Sequence, residues 1–473
     1  MKNKISIWFN IIVAALFLIN IFSMDTSGKE NKKVKTTSGW TQIPKIMSEI
    51  SLPKFPDRNF NILKFGAVSD GKSLNTDAIN NAINECSESG GGTVVIPKGE
   101  FLTGAIRLKS NVNLHISEGA ILKFSTNPKD FLPAVLVGWE GSICMNYSPL
   151  IYAYGQKNIA VSGKGIIDGQ ASNESWWKWK TLSGDKESRP RLLKLNDEKV
   201  PFEKRIFGDG YYLRPTMIEF FKCKNILIEG VTLKDSPFWF LHPILSSNIT
   251  IDGVKTNSIG PNTDGCDPEF CSDVIIKNCV FSDGDDCIAI KSGRNNDGRK
   301  INIPSKNIII KDCTMKDGHG GVSIGSEVSG GCNNVYVENC QMNSPALDRM
   351  LRIKSNAKRG GVVEDIYVRN IKIGQVKGAI VELNMNYDPK EAKGFSFYPI
   401  IKNIYIENVT SQKSQNAFYF EGLPNSNIKN VNIRNCKFDG VKADFKISNT
   451  KNLELKNVYI NGKIINNQYS KSK

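Results

Sequence analysis

The sequence predicts an all-β chain wound as a single-stranded parallel β-helix, closed at its N-terminal end by a short helix. Three observations predict it. First, a template of Asn or Asp followed by alternating β-formers starts at Asn225, Asn248, Asp273, Asn307, Asn334, Asp365, Asn403, Asn430 and Asn452. Successive starts lie 23, 25, 34, 27, 31, 38, 27 and 22 residues apart, as for a constant coil carrying loops of different length. Second, six residues after each start come Val231, Val254, Cys279, Cys313, Cys340, Ile371, Val409, Cys436 and Val458. Apolar residues interchange there as they do in a stacked interior ladder. Third, no amphipathic segment of about 10–15 residues separates the repeats after Asn225, which excludes an α/β fold with crossover helices.

Met1-Lys-Asn-Lys and the apolar run Ile11–Ile19 read as a secretory signal over residues 1–24, too short for a membrane span of about 20 residues. An uncleaved anchor is the alternative. Residues 25–57 read as linker and lead-in, 58–465 as one β-helix domain, and 466–473 as a basic tail. Within the domain, Ala78, Ile79, Ala82 and Ile83 fall at helical spacing behind Thr76 and Asp77, giving the capping helix. Residues 171–215 interrupt the repeats with Trp176, Trp177, Trp179 and many charges. An insertion of that length suits either aromatic faces for sugar rings or a hydrophobic clasp over the coil. His242 sits among aromatic and apolar residues and reads as a packing residue.

Lys and Arg exceed Asp and Glu by 62 to 47, a net charge of +15. No zinc-finger spacing or RNA-binding aromatic motif accompanies the charge, so an anionic polysaccharide is the expected partner rather than nucleic acid. The expected protein is an exported monomer, periplasmic or secreted, with no membrane association beyond the N-terminus. Eleven cysteines are an odd count, and four occupy the ladder position where Val and Ile also fit. They read as buried thiols, with Cys266–Cys271 and Cys332–Cys340 as candidate bridges. No metal site or cofactor is expected.

Four polar clusters fall on successive repeats: Asn262-Thr-Asp264, Gly284-Asp285-Asp286, Gly318-His319-Gly320 and Arg352-Ile-Lys354. Adjacent coils of a β-helix lie about 4.8 Å apart, so Asp264, Asp285 and Asp286 would crowd together. Carboxylates that close cannot all ionise, and a retained proton is what a general acid requires. The unprotonated partners can deprotonate a water, which is a glycosidase arrangement. Alternate strand residues share a face, so Arg352 and Lys354 can grip a substrate carboxylate in the same cleft. Lys291 and Arg294 are further cations, readable as subsite contacts or as surface charges.

At these clusters the sequence resembles glycoside hydrolase family 28, the polygalacturonases, whose four motifs stand here in order. The resemblance implies a right-handed parallel β-helix and hydrolysis of α-1,4-linked galacturonan with inversion and no metal. It implies Asp285 as the acid, Asp264 and Asp286 as activators of water, and His319 as a residue tuning the acid. Arg352 and Lys354 would hold the galacturonate carboxylate, with Asn262 and Lys291 as further substrate contacts. The passages around Arg214-Pro215 and Asp286–Arg294 look most like bacterial exo-acting members. Endo-acting, rhamnogalacturonan and xylogalacturonan hydrolases of the same family are the near alternatives. A calcium-dependent pectate lyase and a non-catalytic polysaccharide-binding β-helix are the rivals from other classes.

Overall fold

The computed structural model describes residues 39–469. The expected signal peptide lies outside the described residues. Among those described, no helix is long and apolar enough to cross a membrane.

The repeats form the coils of a parallel β-helix, and their starting residue has a physical reason. Asn225, Asn248, Asp273, Asn307, Asn334, Asp365, Asn403, Asn430 and Asn452 all have φ between 55 and 60°. Asn and Asp tolerate this left-handed backbone better than other side chains. The amides then stack: Asn225 donates to Asn158 at 2.9 Å, Asn248 to Asn225 at 2.6 Å, Asn430 to Asn403 at 2.9 Å and Asn452 to Asn430 at 3.0 Å. Asp273 and Asp365, which can only accept, each begin a new run by receiving Asn307 and Asn403. Six residues on, the nine ladder positions are all 0 or 1 % exposed. All eleven cysteines are buried and free, so neither candidate bridge forms.

One sheet carries the outward-facing functional residues. Its parallel strands include Leu241–Ile244, Ile288–Ile290, Val322–Gly325, Leu351–Lys354, Ala379–Asn384 and Ser414–Glu421. Cys266 bridges Leu241 to Ile288, and Glu269 bridges Ile244 to Lys291, so the ladder continues across the Asp264 coil.

Helix α1 (Ile43–Glu49) follows a turn in which Trp40 packs on Tyr336 and Tyr367, with Arg369 3.9 Å from its ring centroid. This part of the expected lead-in therefore straps the outside of the coil. Helix α2 (Thr76–Glu88) is the expected cap and buries Ile79, Ala82, Ile83 and Cys86. Its N-cap position is Asn75, which turns its side chain to the Val68 N–H instead of capping the helix.

The 171–215 insertion contains α3 (Ser183–Asp197), a helix the sequence reading missed. Trp176, Trp177 and Trp179 are buried, and Trp177 Nε1 donates to Ser236 O at 2.9 Å. Trp176 also packs edge-on to Phe131. The tryptophans form the clasp. Two short helices follow, α4 (Asn295–Ile301) and α5 (Pro389–Ala392). A final strand, Lys463–Tyr469, runs antiparallel to Thr450–Ile460, so β structure continues to Tyr469 and not 465.

Candidate active site

Backbone pairing between coils aligns the acidic turns. The Phe240 N–H donates to Asp264 O at 2.8 Å, Gly265 N–H to Asp286 O at 3.0 Å, and Cys287 N–H to Gly320 O at 2.8 Å. Asp264 and Asp286 therefore stand side by side on adjacent coils, each just before its strand. Glycine at 320 has a packing reason: a Cβ there would lie 2.4 Å from Ser323 Oγ, the hydroxyl that donates to Asp286 Oδ1 at 2.8 Å.

Oxygens of Asp264, Asp285 and Asp286 lie within 4.8 Å of one another. Three carboxylates at that spacing could hold a cation, but Lys354 Nζ already supplies positive charge, donating to Asp286 Oδ2 at 2.7 Å. His319 Nδ1 lies 2.9 Å from Asp285 Oδ1, which also accepts the Asp286 N–H at 3.0 Å. Asp264 Oδ1 is buried with no hydrogen-bond partner.

These surroundings separate the acids. Burial, with Asp267 and Asp285 nearby, pushes Asp264 well above the usual carboxylate range. Burial also pushes Asp285 upward, but the His319 hydrogen bond and the Lys354 and Lys291 charges outweigh it and hold Asp285 below that range. Of the three, Asp264 is the one whose surroundings favour the protonated form. Acting as one coupled group, the acids can move a proton among themselves.

Arg352 and Lys354 point into the same cleft, as strand alternation required. Arg352 makes only long ion pairs, 3.9 Å to Asp286 and 3.9 Å to Glu382, and its Nε is buried without a hydrogen-bond partner. Both cations stand over Tyr387, 5.5 and 5.7 Å from its ring centroid. A guanidinium so weakly paired is poised to take a planar carboxylate.

The other expected contacts line the same cleft of about 510 Å³ but are already engaged. Asn262 Oδ1 accepts from Lys180 Nζ at 2.9 Å and Arg214 Nη2 at 2.8 Å. Lys291 is buried beneath Trp239, 3.2 Å from Glu327 and 3.6 Å from Asp267. Arg294, also buried, pairs with Glu140 at 3.1 Å, Glu327 at 3.2 Å and Glu391 at 3.2 Å. Neither is a surface charge, because each coil brings a carboxylate against it. His242 is likewise more than packing: its ring lies 3.1 Å from Glu219 and 2.9 Å from Glu269, all three fully buried.

Sequence reasoning missed Glu140, Arg189, Glu327 and Tyr387, which also line the cleft. Glu140 lies on the hairpin of strands Val135–Trp139 and Ser142–Asn146, and Arg189 on α3. Neither lies on the coil pattern, so no periodic signal marks them.

A parallel β-helix with clustered acids beside a weakly paired cation on one sheet has the makings of a polysaccharide-cleaving enzyme. Comparison with known proteins agrees. The model for "Glycosyl hydrolases family 28" matches residues 209–458, and "Rhamnogalacturonase A/epimerase, pectate lyase-like" matches 59–123. A probable polygalacturonase of Vitis vinifera is 31% identical, covering 77% of this chain and 71% of its own. An endo-polygalacturonase of Pectobacterium parmentieri is 30% identical, covering 80% and 85%. The solved structure of a hyperthermoactive exopolygalacturonase from Thermotoga maritima superposes with a TM-score of 0.87 at 36% identity, covering 91% of this chain and 98% of that one. The chain belongs to glycosyl hydrolase family 28.

Proposed function

We propose that this protein hydrolyses α-1,4-galacturonosidic bonds of polygalacturonate, the acidic backbone of pectin, with inversion and from a chain end. The observation that carries it is the juxtaposition of three carboxylates, oxygens within 4.8 Å, with the weakly paired Arg352, 3.9 Å from Asp286.

Asp285 protonates the glycosidic oxygen, and its exposed partner His319 sets when it can do so. Asp264 and Asp286 orient a water between adjacent coils and take its proton as it attacks C1. Arg352 and Lys354 hold the galacturonate carboxylate beside the scissile bond. When a substrate carboxylate takes up their charge, the pull of Lys354 on Asp285 weakens and a proton can pass to it. Asn262 and Lys291 serve substrate through the cations and carboxylates they hold.

Chain-end attack is supported by the wall around Arg294. Glu140 from the hairpin and Glu391 from α5 both pair with it, and Arg189 from α3 pairs with Glu140 at 2.7 Å. The Thermotoga maritima exopolygalacturonase, similar over nearly its whole length, supports the same reading. An exported location, periplasmic or secreted, goes with a polymer substrate outside the cell.

One observation favours a second reading of the roles, with Asp264 as the acid: its Oδ1 is buried without a hydrogen-bond partner, and burial favours its protonated form. The function itself is tested by ¹H NMR of polygalacturonate during the first turnovers. Inversion gives the β-anomer at the new reducing end. A first-formed α-anomer overturns inversion, and no new reducing ends overturns the whole reading.

A further inference from the structure

Behind the wall of the cleft lies a buried joint where the hairpin of residues 135–146, α3, the turn at Arg294 and α4 meet. Asn196, in the last turn of α3, is fully buried. Its Nδ2 donates to Ser142 Oγ of the hairpin at 2.8 Å and to Arg294 O at 3.1 Å, while its Oδ1 accepts the Asp297 N–H of α4 at 3.3 Å. Arg205 and Asp297, 1 and 2 % exposed, form a two-pronged ion pair, with Nη2 2.9 Å from Oδ1. The pair also grips both backbone polar groups of Ile143 in the hairpin. Arg205 Nη1 donates to the Ile143 carbonyl at 3.1 Å, and the Ile143 N–H donates to Asp297 Oδ2 at 3.2 Å.

The tip of the hairpin is fitted as closely. The Arg294 N–H donates to Gly141 O at 2.7 Å, and a Cβ on Gly141, whose φ is 76°, would lie 2.7 Å from Glu327 Cβ. Glu140 beside it is thereby delivered to Arg294 and Arg189, the contacts that close the wall. Asn196, Arg205 and Asp297 themselves do not line the cleft.

Resting on the chain-end hydrolysis proposed above, we propose that Asn196, Arg205 and Asp297 are positioning residues that fix where along the polymer this enzyme cuts. They act through Glu140 and Arg189. Held by the joint, the hairpin and α3 stop the polymer at its end. Released from it, they leave Arg294 and let an internal stretch of chain lie across the acids. Buried hydrogen bonds suit this duty, because breaking one leaves a desolvated polar group unpaired, and a broken buried ion pair leaves a charge.

The test reads product size rather than rate, since partial unfolding lowers the rate without changing where a folded molecule cuts. The full-length parent and three variants digest polygalacturonate, and viscosity loss is followed against new reducing ends. Asn196→Leu keeps a branched side chain and deletes its hydrogen bonds, and Asp297→Asn deletes the ion pair. Ser142→Ala removes a single bond of the joint with least risk to folding. In the first two, the share of early product longer than digalacturonate rises about tenfold, as for a closed wall that loses one or two buried bonds, and viscosity falls faster per bond cut. Ser142→Ala moves the same way by less. Parental product sizes in every variant that folds, whatever the rate, overturn the proposal. So does equal broadening in Asn430→Ala, which breaks the amide ladder on a later coil and would mean general loosening. A parent that itself yields long oligomers from the first time point instead overturns chain-end attack, and this proposal with it.

Discussion

His319 Nδ1 and Asp285 Oδ1 lie 2.9 Å apart, and each residue shifts the other's titration. The bond to Asp285 raises the His319 pKa, with burial opposing, while the same bond and nearby cations hold Asp285 low. The histidine's share of stability is therefore full below about pH 6.5 and is lost as pH rises through its raised value. The carboxylate's share is present above the usual carboxylate range and is lost as pH falls through its lowered value. Removing the cation favours the protonated form of the acids. In His319→Gln the basic limb of kcat/KM accordingly moves to higher pH, by about one unit. A limb that does not move contradicts the tuning role.

Asp285→Asn should lower kcat by about 10²- to 10⁴-fold with substrate binding largely kept. The sharper experiment adds an aryl galacturonide whose leaving group departs without protonation. Rescue of Asp285→Asn, with none for Asp264→Asn, fits the proposed roles. Rescue of Asp264→Asn alone would move the acid to Asp264, whose burial favours its protonated form.

Arg352→Lys keeps the charge and loses the planar fork. A bidentate carboxylate contact gives way to a point charge, so kcat/KM on polygalacturonate should fall about 10- to 100-fold. Steady-state kinetics checks this, and a value within threefold of the parent would remove Arg352 from carboxylate recognition.

Much of the site was legible because its acids sit on the repeat. The motif residues fall on successive coils, so backbone pairing brings Asp264, Asp285, Asp286, His319 and Arg352 to one sheet. The Asn-initiated repeat was legible too, although its cause, a left-handed backbone with stacked amides, was visible only in the fold. What escaped lies off the repeat. Helix α3 is polar almost all round, with Pro190 inside it, and offers no helical stripe. Glu140 meets Arg294 across 154 residues, a pairing that no local spacing records. His242 does pack edge-on against its sequence neighbour Trp239, but the carboxylates that flank it, Glu219 and Glu269, lie 23 and 27 residues away, where no local reading finds them.

That buried triad gives a stability prediction. Burial alone would lower the His242 pKa, but the bonds and charges of Glu219 and Glu269 push it up to about 10. His242→Leu leaves two carboxylates buried without their cation and should cost about 3–5 kcal/mol, read from denaturant unfolding. In the parent, the histidine's share of this stability is complete below about pH 6.5 and is lost as pH rises through about 10. A leucine variant of parental stability at pH 6 would contradict a charged triad.

The most direct test of galacturonan hydrolysis from a chain end is a timed product profile on polygalacturonic acid with chelator present. Sugar size, viscosity and ultraviolet absorbance are read together. The predicted result is mono- or digalacturonate from the first time point, with slow viscosity loss and no absorbance. A spread of longer oligomers with fast viscosity loss would contradict chain-end attack. An unsaturated, absorbing product would contradict hydrolysis altogether.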